Sequence, residues 1–355
     1  MNSRGNRPMK PRGISGVRVA ENHNCEVSSR KTAPLFRNDL KKKNIITRRR
    51  FIATAATAGA GIWAGCSDAF GARFVRGFID ELGRDISTPT APRPNTWNAN
   101  AITATWLGHA SVLVNFYGVT ILTDPVLMQR VGANFGLGTL GPKRLIAPAL
   151  TVEQLPRIDM VLLSHAHFDH FDMPTLKALP AGSKAVTAKK TGDLLAGTSL
   201  KGATELSWGE KASVKTAHGD VEVEAFEVKH WGARWRRDTY RGYNGYVLSR
   251  EGKRIIFGGD TANTDTFRPL RSKGPFELAI MPIGSYKPFE CSHCTPEQAV
   301  RMTNDAGAKY LLPIHHKTFT LGREGQKEPV QRLEVALERE RIALRDVGET
   351  FSVEG

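Results

Sequence analysis

The chain has 355 residues, which is long enough for one large domain or two small ones with a sizeable core. Its formal charge of +15 is concentrated at the amino terminus, because residues 1–50 hold 14 Lys and Arg against 3 Asp and Glu, a net of +11. The remaining residues hold 36 against 32, a net of +4, and carry no basic stripe interleaved with aromatic residues. Nucleic-acid binding is therefore not expected.

Residues 1–66 predict a basic leader with an export signal. Three arginines precede a run of small residues that is too short and too alanine-rich for a transmembrane helix, in TRRRFIATAATAGAGIWAGC (47–66). Paired arginines before Phe51 resemble a twin-arginine signal, which implies passage through the twin-arginine export machinery to the periplasm or cell envelope. The alternative is a disordered basic tail with an alanine-rich helix. A lipid anchor at Cys66 would fit WAGC, although Trp63 stands where a smaller aliphatic residue is usual.

A helix and a linker are predicted over residues 67–100, and one domain over residues 101–355. Helical spacing of apolar residues ends near residue 83, and STPTAPRPN follows as a linker. Beyond it, strands are predicted in IDMVLL (158–163), VEVEAFEV (221–228), ELAIMPIG (277–284) and YLLPI (310–314), with a hairpin around Glu251–Gly252. Helices are predicted in MPTLKALP (173–180), TPEQAVRMTNDAG (295–307) and residues 328–342. This mixture predicts an α/β (α+β) sandwich.

Metal-binding residue types follow the predicted strands. His165 follows MVLLS, His230 follows AFEVK, Asp260 follows IIFGG and His315 follows YLLPI. Open α/β sheets gather their sites at the carboxyl ends of the strands, so these four side chains are expected to converge. Three more candidates lie beside the first of them, in SHAHFDH (164–170): His167, Asp169 and His170.

The donor set of this predicted site favours zinc. Imidazole and carboxylate without cysteine suit zinc first, and manganese or iron second. Seven ligands are too many for one tetrahedral ion, but they fit two ions that share a bridging carboxylate. Two ions held in this way can activate a water near neutral pH. The pattern therefore predicts a hydrolytic site.

The SHAHFDH segment resembles the signature of the metallo-β-lactamase superfamily, whose fold is an αββα sandwich. The similarity continues in order through VKHWG, GGDT and PIHH. Within the superfamily, four further segments resemble the branch of N-acyl-phosphatidylethanolamine phospholipase D. They are TWLGHASVLV, TILTDPVL, MPIGSY and TPEQAV. The similarity runs from about Thr103 to about Leu333, which implies that residues 101–355 are a hydrolase domain of this type.

The resemblance implies a division of the ligands between two zinc ions. One ion would take His165, His167 and His230; the other would take Asp169, His170 and His315; and Asp260 would bridge them. His315 rather than His316 matches the ligand, because IHHKTF has the form I-H-x-x-T-F, and His316 would then lie beside the site. Asp124 in LTDP is expected to orient the ligand loop. His109 in WLGHAS either faces the site or is a buried turn histidine.

Catalytic and substrate residues are also implied. The expected catalytic side chains are Asp169, Asp260 and His293; the last matches a histidine near the substrate phosphate in the branch, unless it only lies at the rim of a Cys291–Cys294 disulfide. After His230, HWGARWRRDTYRG supplies residues suited to an anionic, partly apolar substrate: Trp231, Arg234, Trp235, Arg236 and Arg237. The alternative is a solvated basic loop. Tyr286 and Lys287 in GSYKPF are further candidates for contact with the substrate at the entrance to the site.

Three functions are compatible with these residues. The first is a dinuclear zinc phosphodiesterase for a phospholipid-like substrate, which is compatible with peripheral association with a membrane. The second is a lactonase or other carboxylic ester hydrolase of the same fold. The third is a non-hydrolytic metal or redox protein, although diiron relatives of the fold usually carry glutamate where this chain has His167.

Overall fold

The structure is a computed structural model that describes residues 81, 84–134, 136 and 138–354. The predicted leader with its twin-arginine signal, Cys66 and almost all of the helix predicted over residues 67–83 lie outside the described residues. The predicted linker contains an isolated β-bridge at Ser87 and one 3-10 turn, Pro94–Thr96. Among the described residues, no helix combines the length and the apolar character needed to cross a bilayer.

The described residues form fifteen strands and three α-helices. In chain order the strands are β1 Ala101–Gly108, β2 Ser111–Phe116, β3 Val119–Thr123, β4 Ala133–Asn134, β5 Thr139–Leu140, β6 Met160–Leu163, β7 Lys184–Ala188, β8 Thr204–Leu206, β9 Lys211–Thr216, β10 Gly219–Phe226, β11 Gly245–Arg250, β12 Lys253–Phe257, β13 Phe276–Pro282, β14 Ala308–Ile314 and β15 Thr350–Glu354. The helices are α1 Met173–Ala178, α2 Pro296–Ala306 and α3 Glu328–Ala336. Further 3-10 turns are Val152–Gln154, Gly192–Leu195, Pro269–Lys273 and Arg339–Arg341.

Two mixed sheets carry the predicted ligands. The seven-stranded sheet has the order β15-β1-β2-β3-β6-β7-β8, in which β3, β6, β7 and β8 run parallel. The six-stranded sheet has the order β14-β13-β12-β11-β10-β9, in which β12, β13 and β14 run parallel. Because β10 and β12 both pair antiparallel with β11, they point the same way. The ligand-bearing segments after β10, β12 and β14 therefore leave the same edge of their sheet.

Two apolar layers bury the faces of the six-stranded sheet. Ile255 and Phe257 of β12 enter the core shared with the seven-stranded sheet, whereas Ile256 between them packs in the layer that includes residues of α2 and α3. This alternation is the two-residue period of a strand that is buried on both faces. The predicted α/β sandwich is thus observed as two packed sheets with a helical layer outside.

Helix α2 begins and ends as its sequence predicts. The Thr295 side chain accepts from Gln298 N, and the Gln298 side chain accepts from Thr295 N at 2.9 Å, which completes a capping box. Pro296 occupies the first turn, and Gly307 takes the left-handed conformation with φ 77° that ends the helix.

Helix α3 is shorter than predicted, ending at Ala336 rather than near residue 342. Leu337 adopts an extended conformation and is buried in the outer apolar layer. Farther on, Ile342 forms a parallel bridge with Leu311 of β14. Burial of these two side chains requires the chain to turn, so tertiary packing overrides the helical periodicity there.

Candidate metal centre

The predicted ligands lie in two adjoining groups. In the first group, His165, His167 and His230 place ligand atoms within 4.8 Å of one another. Nδ1 of His167 lies 2.8 Å from Nε2 of His165 and 3.2 Å from Nε2 of His230. Three imidazole nitrogens converge here from two different sheets, which is a donor set suited to zinc.

The second group contains Asp169, His170 and His315, together with His109. Oδ2 of Asp169 lies 3.4 Å from Nε2 of His315 and 3.7 Å from Nε2 of His170. Nε2 of His109 lies 3.0 Å from the same oxygen, and the carboxylate accepts a hydrogen bond from it. The sequence left open whether His109 faces the site or is a buried turn histidine. In the structure it does both, because it is buried in a turn and contacts a predicted ligand.

Asp260 joins the two groups. Its Oδ2 lies 3.0 Å from Nε2 of His170, 3.2 Å from Nε2 of His315 and 3.8 Å from Nε2 of His230. The carboxylate follows β12 and is almost wholly buried. One oxygen therefore faces histidines of both groups, an arrangement in which a carboxylate could be shared by two ions.

Asp124 orients ligands in the loop after β6. Its Oδ2 accepts from Nδ1 of His170 at 2.7 Å and from Oγ of Ser164 at 2.5 Å, while its Oδ1 accepts from Ser164 N at 2.7 Å. Oγ of Ser164 in turn lies 2.8 Å from Nδ1 of His165. These contacts leave Nε2 of both histidines facing the site, as second partners of metal-binding histidines normally do.

Backbone contacts fix the remaining ligands. Nδ1 of His230 donates to the Ser292 carbonyl at 2.9 Å. The His109 carbonyl accepts from His315 N at 3.0 Å and from Trp106 Nε1 at 2.7 Å. His109 and His315 both adopt positive φ, 54° and 65°. Such conformations are uncommon for these residues and cluster at functional sites, where the surrounding structure holds them.

The residues present fit a pair of metal ions. Several buried ligand atoms lack a hydrogen-bond partner among the described residues: His167 Nε2, His170 Nε2, Asp260 Oδ1 and both ring nitrogens of His315. Buried polar atoms are normally paired, and each one left unpaired is costly. Nε2 of His170 and Nε2 of His315 face Asp260 Oδ2, and a cation bound between these atoms would satisfy them.

Burial controls the charge of this site before any metal is bound. Burial holds the pKa of His165 and of His230 well below the usual range and lowers that of His167 to about 4. These imidazoles are therefore neutral at physiological pH, which is the form that binds metals. Although burial opposes it, the charge of Asp260 raises the pKa of His315 to about 9. A cation at that position would replace the proton.

His293 lies beside the ligands. Its Nδ1 is 3.8 Å from Asp260 Oδ2, and its ring centroid is 5.3 Å from that of His230. Burial lowers the pKa of His293 to about 4. A Cys291–Cys294 disulfide, which the sequence left open, is not formed, because Cys294 is a buried free thiol that donates to the Pro282 carbonyl.

The loop after His230 divides into exposed and partly buried parts. Trp231 and Trp235 are about half exposed, and the Trp231 ring centroid lies 4.2 Å from that of His167. Arg236 and Arg237 are exposed. Arg234 instead donates to two carbonyls of the loop after β6.

Two other predicted substrate residues point toward α3. Tyr286 is fully buried, and its hydroxyl donates to Glu328 at 2.9 Å. Nζ of Lys287 lies 2.6 Å from the same carboxylate. His316 is buried with its ring centroid 4.4 Å from that of Trp106. These contacts give the three side chains structural partners beside the site.

Sequence reasoning missed three residues that hold the ligands. Ser164 stands in the predicted motif, but only the structure shows it linking Asp124 to His165. Thr318 accepts from His109 N at 2.7 Å, although the chain separates them by 209 positions. Ser292 acts through its carbonyl, which any residue carries. Of the three, only Ser164 had a signal in the sequence.

Comparisons with known proteins identify the family of the chain. A family model described as a beta-lactamase superfamily domain matches residues 120–316. N-acyl-phosphatidylethanolamine-hydrolyzing phospholipase D 1 of Caenorhabditis elegans is 34% identical over 248 residues, which cover 65% of this chain and 68% of that protein. An uncharacterized protein of Mycobacterium tuberculosis is 31% identical over 276 residues, which cover 73% of this chain and 72% of that protein.

A solved structure shares the fold. Igni18, a metallo hydrolase from the archaeon Ignicoccus hospitalis, superposes with a TM-score of 0.52 at 22% identity, covering 72% of this chain and 99% of that one. At this identity the likeness concerns the fold, and it confirms the predicted sandwich. The chain belongs to the beta-lactamase superfamily, as a metal-dependent hydrolase of the metallo-β-lactamase fold that resembles the N-acyl-phosphatidylethanolamine phospholipase D branch.

Proposed function

We propose that the protein is a dinuclear zinc phosphodiesterase that acts on a phospholipid-like substrate. The observation that carries the proposal is the single oxygen, Asp260 Oδ2, that faces histidines of both ligand groups. His165, His167 and His230 would hold one ion, and Asp169, His170 and His315 the other. Five imidazoles and two carboxylates without a thiolate favour zinc over magnesium or calcium.

Bound zinc ions would supply Lewis acidity and lower the pKa of a water. The protein contributes the buried carboxylate of Asp260, which stays ionised because the charge of His170, against the effect of burial, holds its pKa well below the usual range. His293 stands next to that carboxylate as a neutral imidazole. Such a ring can take up the proton that an activated water releases and pass it to the leaving oxygen of the substrate. We assign it to the leaving-group side of the reaction.

The choice of a phosphodiester is supported by the C. elegans relative, whose name states that it hydrolyses N-acyl-phosphatidylethanolamine. Exposed side chains near the site suit such an amphiphile. Trp231 and Trp235 are each about half exposed, and Arg236 and Arg237, which follow Trp235 in the chain, are exposed. Aromatic rings favour the interface between water and acyl chains, and arginine binds phosphate. We propose that this surface also gives peripheral membrane association.

Turnover by zinc-loaded protein tests the reaction. The substrates are N-acyl-phosphatidylethanolamine, bis(p-nitrophenyl) phosphate, an N-acyl-homoserine lactone and a p-nitrophenyl ester. We expect hydrolysis of the two phosphodiesters, lost with chelator and restored by zinc. Turnover of the lactone or ester alone would replace the proposal with a carboxylic ester hydrolase. Redox-sensitive absorbance from tightly held iron without any hydrolysis would point to the non-hydrolytic alternative.

Vesicle sedimentation tests the membrane surface separately from catalysis. We expect the protein to pellet with vesicles that contain anionic phospholipid, and Arg236→Gln with Arg237→Gln to reduce pelleting at low salt. Val335→Ser is the matched control, because Val335 is 90% exposed on α3. Equal pelleting of the double variant and the wild type would contradict the proposed surface.

A further inference from the structure

One side chain joins both ends of the turn that carries three of the seven predicted ligands. Nη1 of Arg234 donates to the Ala166 carbonyl at 3.1 Å and to the Phe171 carbonyl at 2.8 Å. The two carbonyls bracket residues 167–170, which include three predicted ligands. Within this segment, the N–H groups of residues 170 and 171 donate to the His167 carbonyl and form a tight turn. The arginine therefore spans the turn from outside.

The guanidinium of Arg234 also packs against an aromatic ring, that of Phe168. Its central carbon lies 4.1 Å from the centroid of the Phe168 ring, and Trp235 meets that ring edge-on at 4.9 Å. A planar cation stacks on an aromatic face while its N–H groups point outward in the plane. Each Nη nitrogen carries two hydrogens that point in different directions, so it can donate hydrogen bonds to two carbonyls at once. A lysine ammonium has neither the flat face nor this fixed fork.

The arginine remains charged in this position. Burial lowers the pKa of Arg234 to about 10, and the charge of Asp172 opposes the lowering. Asp172 itself caps α1, accepting from Thr175 N at 3.1 Å, and α1 begins directly after the ligand loop. A full positive charge at neutral pH strengthens both bonds to the carbonyls.

We propose that Arg234 is a positioning residue for the metal centre, which locks the turn of residues 167–170 in the geometry that binds metal. The loop after β10 carries both His230 and Arg234, so the segment that supplies a ligand from one sheet also fixes the ligand loop of the other. The inference rests on the proposed metal centre and not on the identity of the substrate.

Zinc affinity tests this role without reference to turnover. We expect Arg234→Ala to weaken Zn²⁺ binding at least about tenfold in competition with a chromogenic chelator, because groups that orient ligands typically change affinity by this much. The visible spectrum of Co²⁺-loaded Arg234→Ala should also change in shape, which reports altered ligand geometry. Guanidinium chloride at millimolar concentration should restore affinity and spectrum, whereas ammonium chloride should not.

Two further variants keep the test decisive. Arg236→Ala, two positions along, is the matched control, and its zinc affinity should stay within about twofold of wild type because an exposed charge is screened by solvent. Arg234→Lys retains the charge and should weaken binding nearly as much as the alanine variant; it also serves if Arg234→Ala fails to fold. Wild-type zinc affinity and an unchanged Co²⁺ spectrum in Arg234→Lys would overturn the inference. Failure of the wild-type protein to bind zinc would instead overturn the proposed function.

Discussion

Asp124 Oδ2 accepts a hydrogen bond from Nδ1 of His170 at 2.7 Å, and both side chains are completely buried. Through Ser164, the same carboxylate also fixes His165. One residue at the end of β3 therefore orients a histidine of each ligand group. Asp124 adopts φ 30°, a conformation that asparagine tolerates better than most residues.

Asp124→Asn should weaken zinc binding by about 10- to 100-fold while the protein stays folded. The amide has one acceptor oxygen in place of two, so His170 or Ser164 loses its partner. Chelator competition measures the affinity, and circular dichroism checks the fold. Asp220→Asn, at an exposed position near the start of β10, is the control. Equal affinities in the two variants would remove Asp124 from the orienting role.

Asp260→Ala should abolish hydrolysis and lower the number of zinc ions bound per chain. Its carboxylate faces histidines of both ligand groups, so both lose a donor. Elemental analysis after gel filtration gives the stoichiometry, and bis(p-nitrophenyl) phosphate gives the activity. Full zinc content in the variant would show that Asp260 is not shared between two ions.

His293→Gln should lower kcat by about 10²- to 10⁴-fold, the usual contribution of general acid–base catalysis, while zinc content stays the same. Its Nδ1 lies 3.8 Å from Asp260, but His293 belongs to neither of the ligand groups assigned to the ions. The loss should shrink with a substrate whose leaving group needs no protonation, such as p-nitrophenolate. A loss of zinc instead would make His293 a ligand.

The metal-free protein should lose stability as the pH falls from 6.5 toward about 4. Burial lowers the folded pKa of His165, His167, His230 and His293 below the ordinary value of 6.5. In this interval the unfolded chain binds protons that the folded chain does not, so each group removes up to about 1.4 kcal/mol per pH unit from the free energy of unfolding.

Two histidines have the opposite effect in another pH range. With pKa values raised above 6.5, His170 and His315 stabilise the fold at low pH, and the part due to His315 is lost as pH rises through about 9. Urea unfolding of chelator-treated protein at several pH values measures the slope. His167→Gln should flatten it in the acidic interval, and an unchanged slope in that variant would contradict the assignment.

We propose that the leader directs twin-arginine export. Arg48→Lys with Arg49→Lys should keep the protein in the cytoplasm, because the paired arginines are the recognised feature of such signals. Fractionation followed by immunoblotting measures the location. Lysine preserves the basic charge, so a general electrostatic effect would leave export intact. Normal recovery of the double variant from the periplasm would contradict the signal.

The sequence by itself determined which residues are candidate ligands and where helix α2 begins and ends. Both depend on local order: an apolar run followed at once by histidine or aspartate places that side chain at the end of a buried strand, and a cap, a proline and a terminal glycine lie within one short segment. Only the tertiary structure decided that Cys291 and Cys294 are not joined to each other, that α3 stops at Ala336, and that Tyr286 turns toward Glu328.

The contacts of Arg234 likewise could not be predicted from the sequence. Its sequence neighbours are tryptophans and arginines, and that pattern favours a substrate surface as much as any structural role. Its partners are the carbonyls of Ala166 and Phe171, 68 and 63 positions away. A carbonyl is common to every residue and leaves no mark in a sequence, so contacts of this kind become visible only when packing brings distant segments together.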